Sequence, residues 1–149
     1  MQSSGEISSF RGEHSFLSNF FVHPFVYDGV TWMTSEHTYQ AAKTCLNDPV
    51  GREIIRQAET PGKAKCLGRT IKIRPDWEEV KVPVMRAILK AKFSNPVLAA
   101  KLIATGDLEL VEGNSWGDRE WGCVRDEDGD WAGKNLLGKL LMEIRSQLI

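Results

Sequence analysis

Thr34-Ser35-Glu36-His37-Thr38-Tyr39-Gln40-Ala41-Ala42-Lys43-Thr44-Cys45-Leu46 is the most informative run of the chain. Two hydroxyl residues offer caps at its start and Asn47-Asp48-Pro49 stops it, so the pattern predicts a helix over about 35–46. At 100° per residue, Glu36, Gln40 and Lys43 fall within an arc of roughly 60°. Tyr39, Ala42, Cys45 and Leu46 take a different side and can pack. A solvated face would carry such a polar stripe. So would the border of a cleft, where a rigid element holds a carboxylate and an amine.

Upstream, Phe25-Val26-Tyr27-Asp28-Gly29-Val30-Thr31-Trp32 reads as two short strands around an Asp-Gly turn. Downstream, helices dominate. One is expected over about Val50–Ala58, and one from Pro61 to Gly68. Asp76-x-x-Glu79 has the spacing of a capping box and opens a long helix to about Phe93, with a kink or short break expected at Pro83. Pro96 starts a further helix ending at Thr105-Gly106, and Leu108–Glu112 reads as a short strand. Residues 113–134 show no periodicity. The last helix begins near Leu136 and carries Leu137, Leu140, Leu141, Ile144 and Leu148 on one side, which is a core stripe. The expected class is α+β: a mainly helical single domain over 6–149 with a small antiparallel sheet, after a frayed 1–5.

The chain has 149 residues, 42% of them apolar, enough for one domain with a core of its own. Nineteen Lys and Arg against twenty Asp and Glu exclude a basic nucleic-acid scaffold, so at most local contact with nucleic acid is expected. Three Cys, none in a CxxC pair, argue against a disulfide framework and against paired zinc sites. MQSSGEISSF has neither a basic n-region nor an apolar h-region, and no run is long enough to span a membrane, so a cytoplasmic protein is expected.

Two further features stand out. The 113–134 segment holds Trp116, Trp121 and Trp131 with Asp118, Arg119 and Arg125 between them. Each indole has a large area to bury, so these residues either lid the core or, with Trp32 and Trp77, offer flat faces to a heterocycle. Gly133-Lys134-Asn135 precedes the last helix. Asn135 is the expected N-cap, and the first-turn N–H groups with the Lys134 ammonium would seat an anion; an ordinary capped helix reads the same way. His14, His23 and His37 lack metal-ligand spacing, Cys45 reads as a small hydrophobe, and no cofactor fingerprint or metal site is expected.

Phe10-Arg11-Gly12-Glu13, Leu17-Ser18-Asn19-Phe20 and Ser35-Glu36-His37-x-Tyr39-Gln40-x-x-Lys43 resemble the NADAR/YbiA-like family. So do Asp76-Trp77-Glu78-x-Val80-Lys81 with Val84-Met85, Ala91-Lys92-Phe93, Leu110-Val111-Glu112, Asp118-x-x-Trp121-Gly122 and Gly133-Lys134-Asn135-x-Leu137-Gly138. The motifs run in order from about Phe10 to Leu148. The resemblance implies a mainly helical domain that hydrolyses N-glycosidic bonds. One branch acts on phosphoribosyl intermediates of riboflavin synthesis, another removes ADP-ribose from modified guanine bases. It also implies Glu36 and Lys43 at the reaction centre, with Asn19, Trp77, Asp118 and Trp121 lining it and Gln40 and Gly122 beside them. After Trp121-Gly122 the run Cys123–Trp131 replaces the short Asp/Gly-rich turn of some members, so the resemblance does not choose between the branches.

The chemistry assigns roles. Cleaving a base from ribose passes through an oxocarbenium-like state, which a carboxylate can stabilise or exploit to activate water. Glu36 is the expected acid/base and Asp118 a second or orienting carboxylate. Lys43 either attacks C1 of a ring-opened sugar as a free amine or holds a phosphate as an ammonium. Lys134, Asn135 and Arg11 are the expected phosphate contacts, and Trp77 and Trp121 border the base. No metal or cofactor is required. The alternative is a non-catalytic NAD or ADP-ribose sensor, which needs the same aromatics without a reactive carboxylate.

Overall fold

In the computed structural model, which describes residues 5–149, the Asp28-Gly29 turn forms as expected. In chain order the elements are β1 (Glu6–Ile7), a 3-10 turn (Gly12–Leu17), β2 (Phe25–Tyr27), β3 (Val30–Trp32), α1 (Ser35–Ala42) and α2 (Pro49–Arg56). Then follow α3 (Pro61–Leu67), α4 (Trp77–Lys92), α5 (Pro96–Ala104), β4 (Glu109–Leu110), β5 (Val124–Arg125), β6 (Trp131–Ala132) and α6 (Leu136–Gln147). The class is α+β and mainly helical. Residues 1–4 of the expected frayed end lie outside the described residues; the Gly5 carbonyl accepts from Glu109 N–H at 2.6 Å.

The chain divides into two units, Asn19–Asn95 and residues 5–18 with Pro96–Ile149. In the first, β2 and β3 pair antiparallel, with Phe25 opposite Trp32 and Tyr27 opposite Val30. Asp28 and Gly29 both take positive φ, 53° and 78°, which matches the twist of the strands. The Trp32 indole is buried and donates to the Tyr27 carbonyl at 3.0 Å, so it closes the hairpin and offers no face to a ligand.

Helix α1 is the centre of this unit and packs against α2, α3, α4 and β3. Every residue from Ser35 to Ala41 is buried, so the stripe of Glu36 and Gln40 is not a solvated face. The Thr34 hydroxyl caps the helix, accepting from His37 N–H at 3.1 Å. The His37 ring joins the Thr34 hydroxyl through Nδ1 (2.7 Å) and the Ala58 carbonyl through Nε2 (2.9 Å). A carbonyl only accepts, so the proton sits on Nε2, and the ring ties the start of α1 to the chain just beyond α2. The helix ends four residues earlier than expected. Thr44 bridges to Ile73 and the Lys43 carbonyl accepts from Arg74 N–H at 2.9 Å, pairing that draws the chain out of helical geometry. Leu46, expected to pack, is 79% exposed.

Helix α4 begins at Trp77, but Asp76 does not cap it; its carboxylate grips Arg74 instead, at 2.6 and 2.9 Å. The helix runs unbroken through Pro83, which is exposed; the Glu79 carbonyl it cannot reach belongs to an exposed residue too, so water can take that bond. Met85, Ile88, Leu89 and Phe93 bury its inner face.

In the second unit β1 pairs parallel with β4, Ile7 opposite Leu110, a contact between distant segments that local patterning does not reveal. The expected 108–112 strand is regular over Glu109–Leu110 alone. Helix α6 packs on β4 and α5 with Leu137, Leu140, Leu141 and Ile144 buried, each contributing about 1.5–3 kcal/mol of apolar burial. Arg145 extends from it to the Thr105 hydroxyl and the Leu108 carbonyl, both at 2.9 Å. The 113–134 segment is not irregular throughout: β5 and β6 form an antiparallel hairpin, with Arg125 opposite Trp131.

Candidate active site

Five of the expected site residues lie in the Asn19–Asn95 unit, and hydrogen bonds or ring contacts connect all five to residues of α1. Glu36 sits in the first turn of α1, 8% exposed. Its backbone N–H donates to the Asn19 carbonyl at 3.0 Å, while the Ser35 hydroxyl donates to Asn19 Oδ1 at 2.7 Å. Asn19 therefore fastens the start of the helix, and its Nδ2 has no hydrogen-bond partner among the described residues. One turn on, Gln40 Nε2 donates to Glu36 Oε2 at 2.6 Å. Lys43 stands at the C-cap of α1 rather than inside a longer helix, half-buried, with its ammonium 5.3 Å from the centre of the Tyr39 ring. Tyr39 in turn meets Trp77 at 5.2 Å between ring centroids, tilted by 57°. Trp77 is 6% exposed, so it acts as the aromatic backing of Tyr39.

A second group lies in the other unit. Asp118 Oδ1 accepts from the N–H groups of Glu120 and Trp121, both at 3.0 Å, which bends the chain and sets the Trp121 backbone. The Asn114 side chain accepts from Asp118 N–H and donates to the Asp118 and Cys123 carbonyls, so one amide organises the whole turn. Gly122 is buried against the Glu112 carbonyl and leaves no room for a side chain.

The expected anion seat at the start of α6 is closed. The N–H groups of Lys134, Asn135, Leu136 and Leu137 donate to the carbonyls of Arg119, Gly122, Glu120 and Trp121. Asn135 is at the N-cap position but in the left-handed conformation, φ 52°, and does not cap. Its side chain bridges β4 instead, accepting from Glu112 N–H at 3.0 Å and donating to the Leu110 carbonyl at 2.9 Å. Asn135 is thus an internal brace and not a phosphate contact. The Lys134 side chain is exposed, as is that of Arg11. Trp131 is also engaged: Arg125 lies 3.8 Å over its ring and its Nε1 donates to Glu6 at 2.9 Å. Trp116 is 58% exposed.

Two features escaped the sequence reading. Lys92 is buried, 1% exposed, with its ammonium 5.8 Å from the Phe21 ring centre and 5.2 Å from that of Phe93. Burial pushes its amine down to about 7 from 10.5. The signal was present: Met85, Ile88, Leu89 and Lys92 follow the i, i+3, i+4, i+7 spacing of a core stripe, and a lysine there must be buried. The second is the acidic turn between β5 and β6, where the carboxylates of Asp126, Asp128 and Asp130 come within 4.8 Å of one another, all exposed. Asp126 Oδ1 accepts from the N–H groups of Asp128 and Asp130, which accounts for the turn itself.

The NADAR domain family model matches residues 4–149. The chain belongs to the NADAR family. Over 135 residues it is 44% identical to N-glycosidase YbiA of Escherichia coli (strain K12), covering 89% of this chain and 80% of that protein. The NMR structure of E. coli YbiA superposes with a TM-score of 0.80 at 40% identity, covering 99% of this chain and 87% of that one. A riboflavin biosynthesis protein of Vibrio vulnificus (strain YJ016) is 41% identical over 138 residues, 91% of this NADAR chain but 36% of the larger protein. Relatives of this length carry the name N-glycosidase, which places the chain among hydrolases of N-glycosyl compounds. No helix of the described residues is long and apolar enough to cross a membrane.

Proposed function

We propose that the protein hydrolyses the bond between C1 of a phosphorylated or ADP-linked ribose and the nitrogen of a heterocyclic base or amine, with Glu36 as acid/base. The observation that carries this is a carboxylate withdrawn from water on a rigid helix, with the Gln40 amide donating to it. A carboxylate so placed can stabilise the positive charge that grows on C1 as the base leaves, or take the proton of the attacking water. Asn19 Nδ2 is a ready donor for a substrate hydroxyl beside the Glu36 backbone. Lys43, over the Tyr39 ring, either holds the anionic part of the substrate or supplies an amine to the sugar carbon. Asp118, Trp121 and Gly122 are candidate contributors on the evidence of the family motif, and Lys134 and Arg11 are the exposed cations that remain for a phosphate.

The names of the Vibrio relative and of a chloroplastic maize relative favour the riboflavin branch, a phosphoribosylamino-pyrimidine. A cytoplasmic setting suits three free thiols, Cys45, Cys66 and Cys123. The test offers the protein a phosphoribosylamino-pyrimidine and an ADP-ribosylated guanine oligonucleotide and follows products by mass spectrometry. The expected result is free ribose phosphate and pyrimidine amine from the first. Release of ADP-ribose from the second alone would move the protein to the guanine branch. Tight calorimetric binding of ADP-ribose without release of base from either would make it a sensor and overturn the enzymatic reading.

A further inference from the structure

Gln40 was expected to touch substrate; its surroundings give it a different task. Resting on the reading of Glu36 as the acid/base, we propose that Gln40 is a positioning residue that holds the Glu36 carboxylate, and that Gly68 keeps open the space its amide occupies.

Three observations carry this. First, Gln40 is 4% exposed and its Nε2 donates to Glu36 Oε2 at 2.6 Å, the i, i+4 relation of neighbours on one helix face. Second, Gln40 Oε1 is buried with no hydrogen-bond partner among the described residues. A buried carbonyl left without a donor is unfavourable, and an apolar side chain of similar size would fill the same space without that penalty. An amide here therefore makes sense through its other end, the one that meets the carboxylate. Third, a Cβ built on Gly68 would overlap Gln40 Oε1 and come within 2.8 Å of Gln40 Cδ. Gly68 is the C-cap of α3 at φ −60°, right-handed backbone that any residue adopts, so conformation does not require glycine there. Space does.

The amide is thus confined between the carboxylate it donates to and the bare Cα of Gly68. Because the group a new methyl would strike is the far end of a flexible side chain, Gly68→Ala should displace the amide and leave the backbone of α3 in place. Glu36 would then lose the Gln40 hydrogen bond without any change to a residue that touches substrate.

The test is a double-mutant cycle on the full chain, with Gly68→Ala, Gln40→Ala and their combination, and Gln40→Met as a volume-preserving check. On the phosphoribosylamino-pyrimidine or the ADP-ribosylated guanine oligonucleotide, whichever turns over, Gly68→Ala and Gln40→Met should each lower kcat on the order of tenfold with KM little changed. The combined variant should be no worse than Gln40→Ala alone, because the methyl enters the space the amide has left. The same non-additivity should appear in the urea midpoint, which needs no substrate. Wild-type kcat in Gly68→Ala, or additive effects in both readouts, would overturn the proposal, and a raised KM with unchanged kcat in Gln40→Met would return Gln40 to substrate binding. Full activity of Glu36→Gln measured alongside would instead strike the acid/base reading itself.

Discussion

Lys92→Met should remove a pH dependence of stability that the wild-type protein carries above neutrality. Burial on α4 holds the Lys92 amine down to about 7, whereas in the unfolded chain it returns to 10.5. Between those two values the unfolded state binds more protons than the folded one, so stability rises with pH across the window. Below about 7 both states are protonated and the dependence vanishes. The full difference amounts to about 5 kcal/mol, of which about 2 kcal/mol falls between pH 7 and 9. The assay is urea unfolding of both proteins at pH 6, 7, 8 and 9. Other groups titrate alike in the two chains, so the difference between their unfolding free energies isolates Lys92. That difference should shift by about 2 kcal/mol in favour of the wild type from pH 7 to 9 and by only a few tenths from pH 6 to 7. Parallel curves would mean that the Lys92 amine is not desolvated in the folded protein.

Two further outcomes follow from the geometry. Asn135→Ala removes both bonds from the α6 start to the Leu110–Glu112 backbone and forces a left-handed φ on alanine, so it should destabilise by about 2–4 kcal/mol in urea unfolding; Asn135→Gly, which relieves the backbone strain, should lose less. If Lys43 forms an imine with a ring-opened sugar, borohydride added during turnover should leave the sugar mass on the peptide containing Lys43. No adduct, with full activity in Lys43→Arg, leaves it the electrostatic role alone.

The local elements were legible because their signals are local. The Asp28-Gly29 turn, the Thr34 cap, Pro at the start of α2, α3 and α5, and the leucine stripe of α6 each depend on neighbours within one or two turns of chain. What failed depends on distant partners. Helix α1 stops short because Thr44 pairs with Ile73, and Asp76 abandons its cap for Arg74. The letters around Asn135 suggested an anion seat, but the seat is filled by carbonyls of 119–122, and a cap residue cannot announce which backbone will arrive at its N–H groups. In the same way the spacing gives the i, i+4 relation of Glu36 and Gln40, while their burial depends on α2, α3 and α4 packing on α1, and Lys43 falls at the C-cap with its ammonium over Tyr39.

In the proposed reaction Glu36 performs the bond cleavage. The most direct measurement is the single-turnover rate of base release by Glu36→Gln, with circular dichroism and the urea midpoint confirming that the chain still folds. Glu36→Gln should lose a factor on the order of 10² or more in rate with substrate still bound. A folded Glu36→Gln protein that releases base at the wild-type rate would contradict that role.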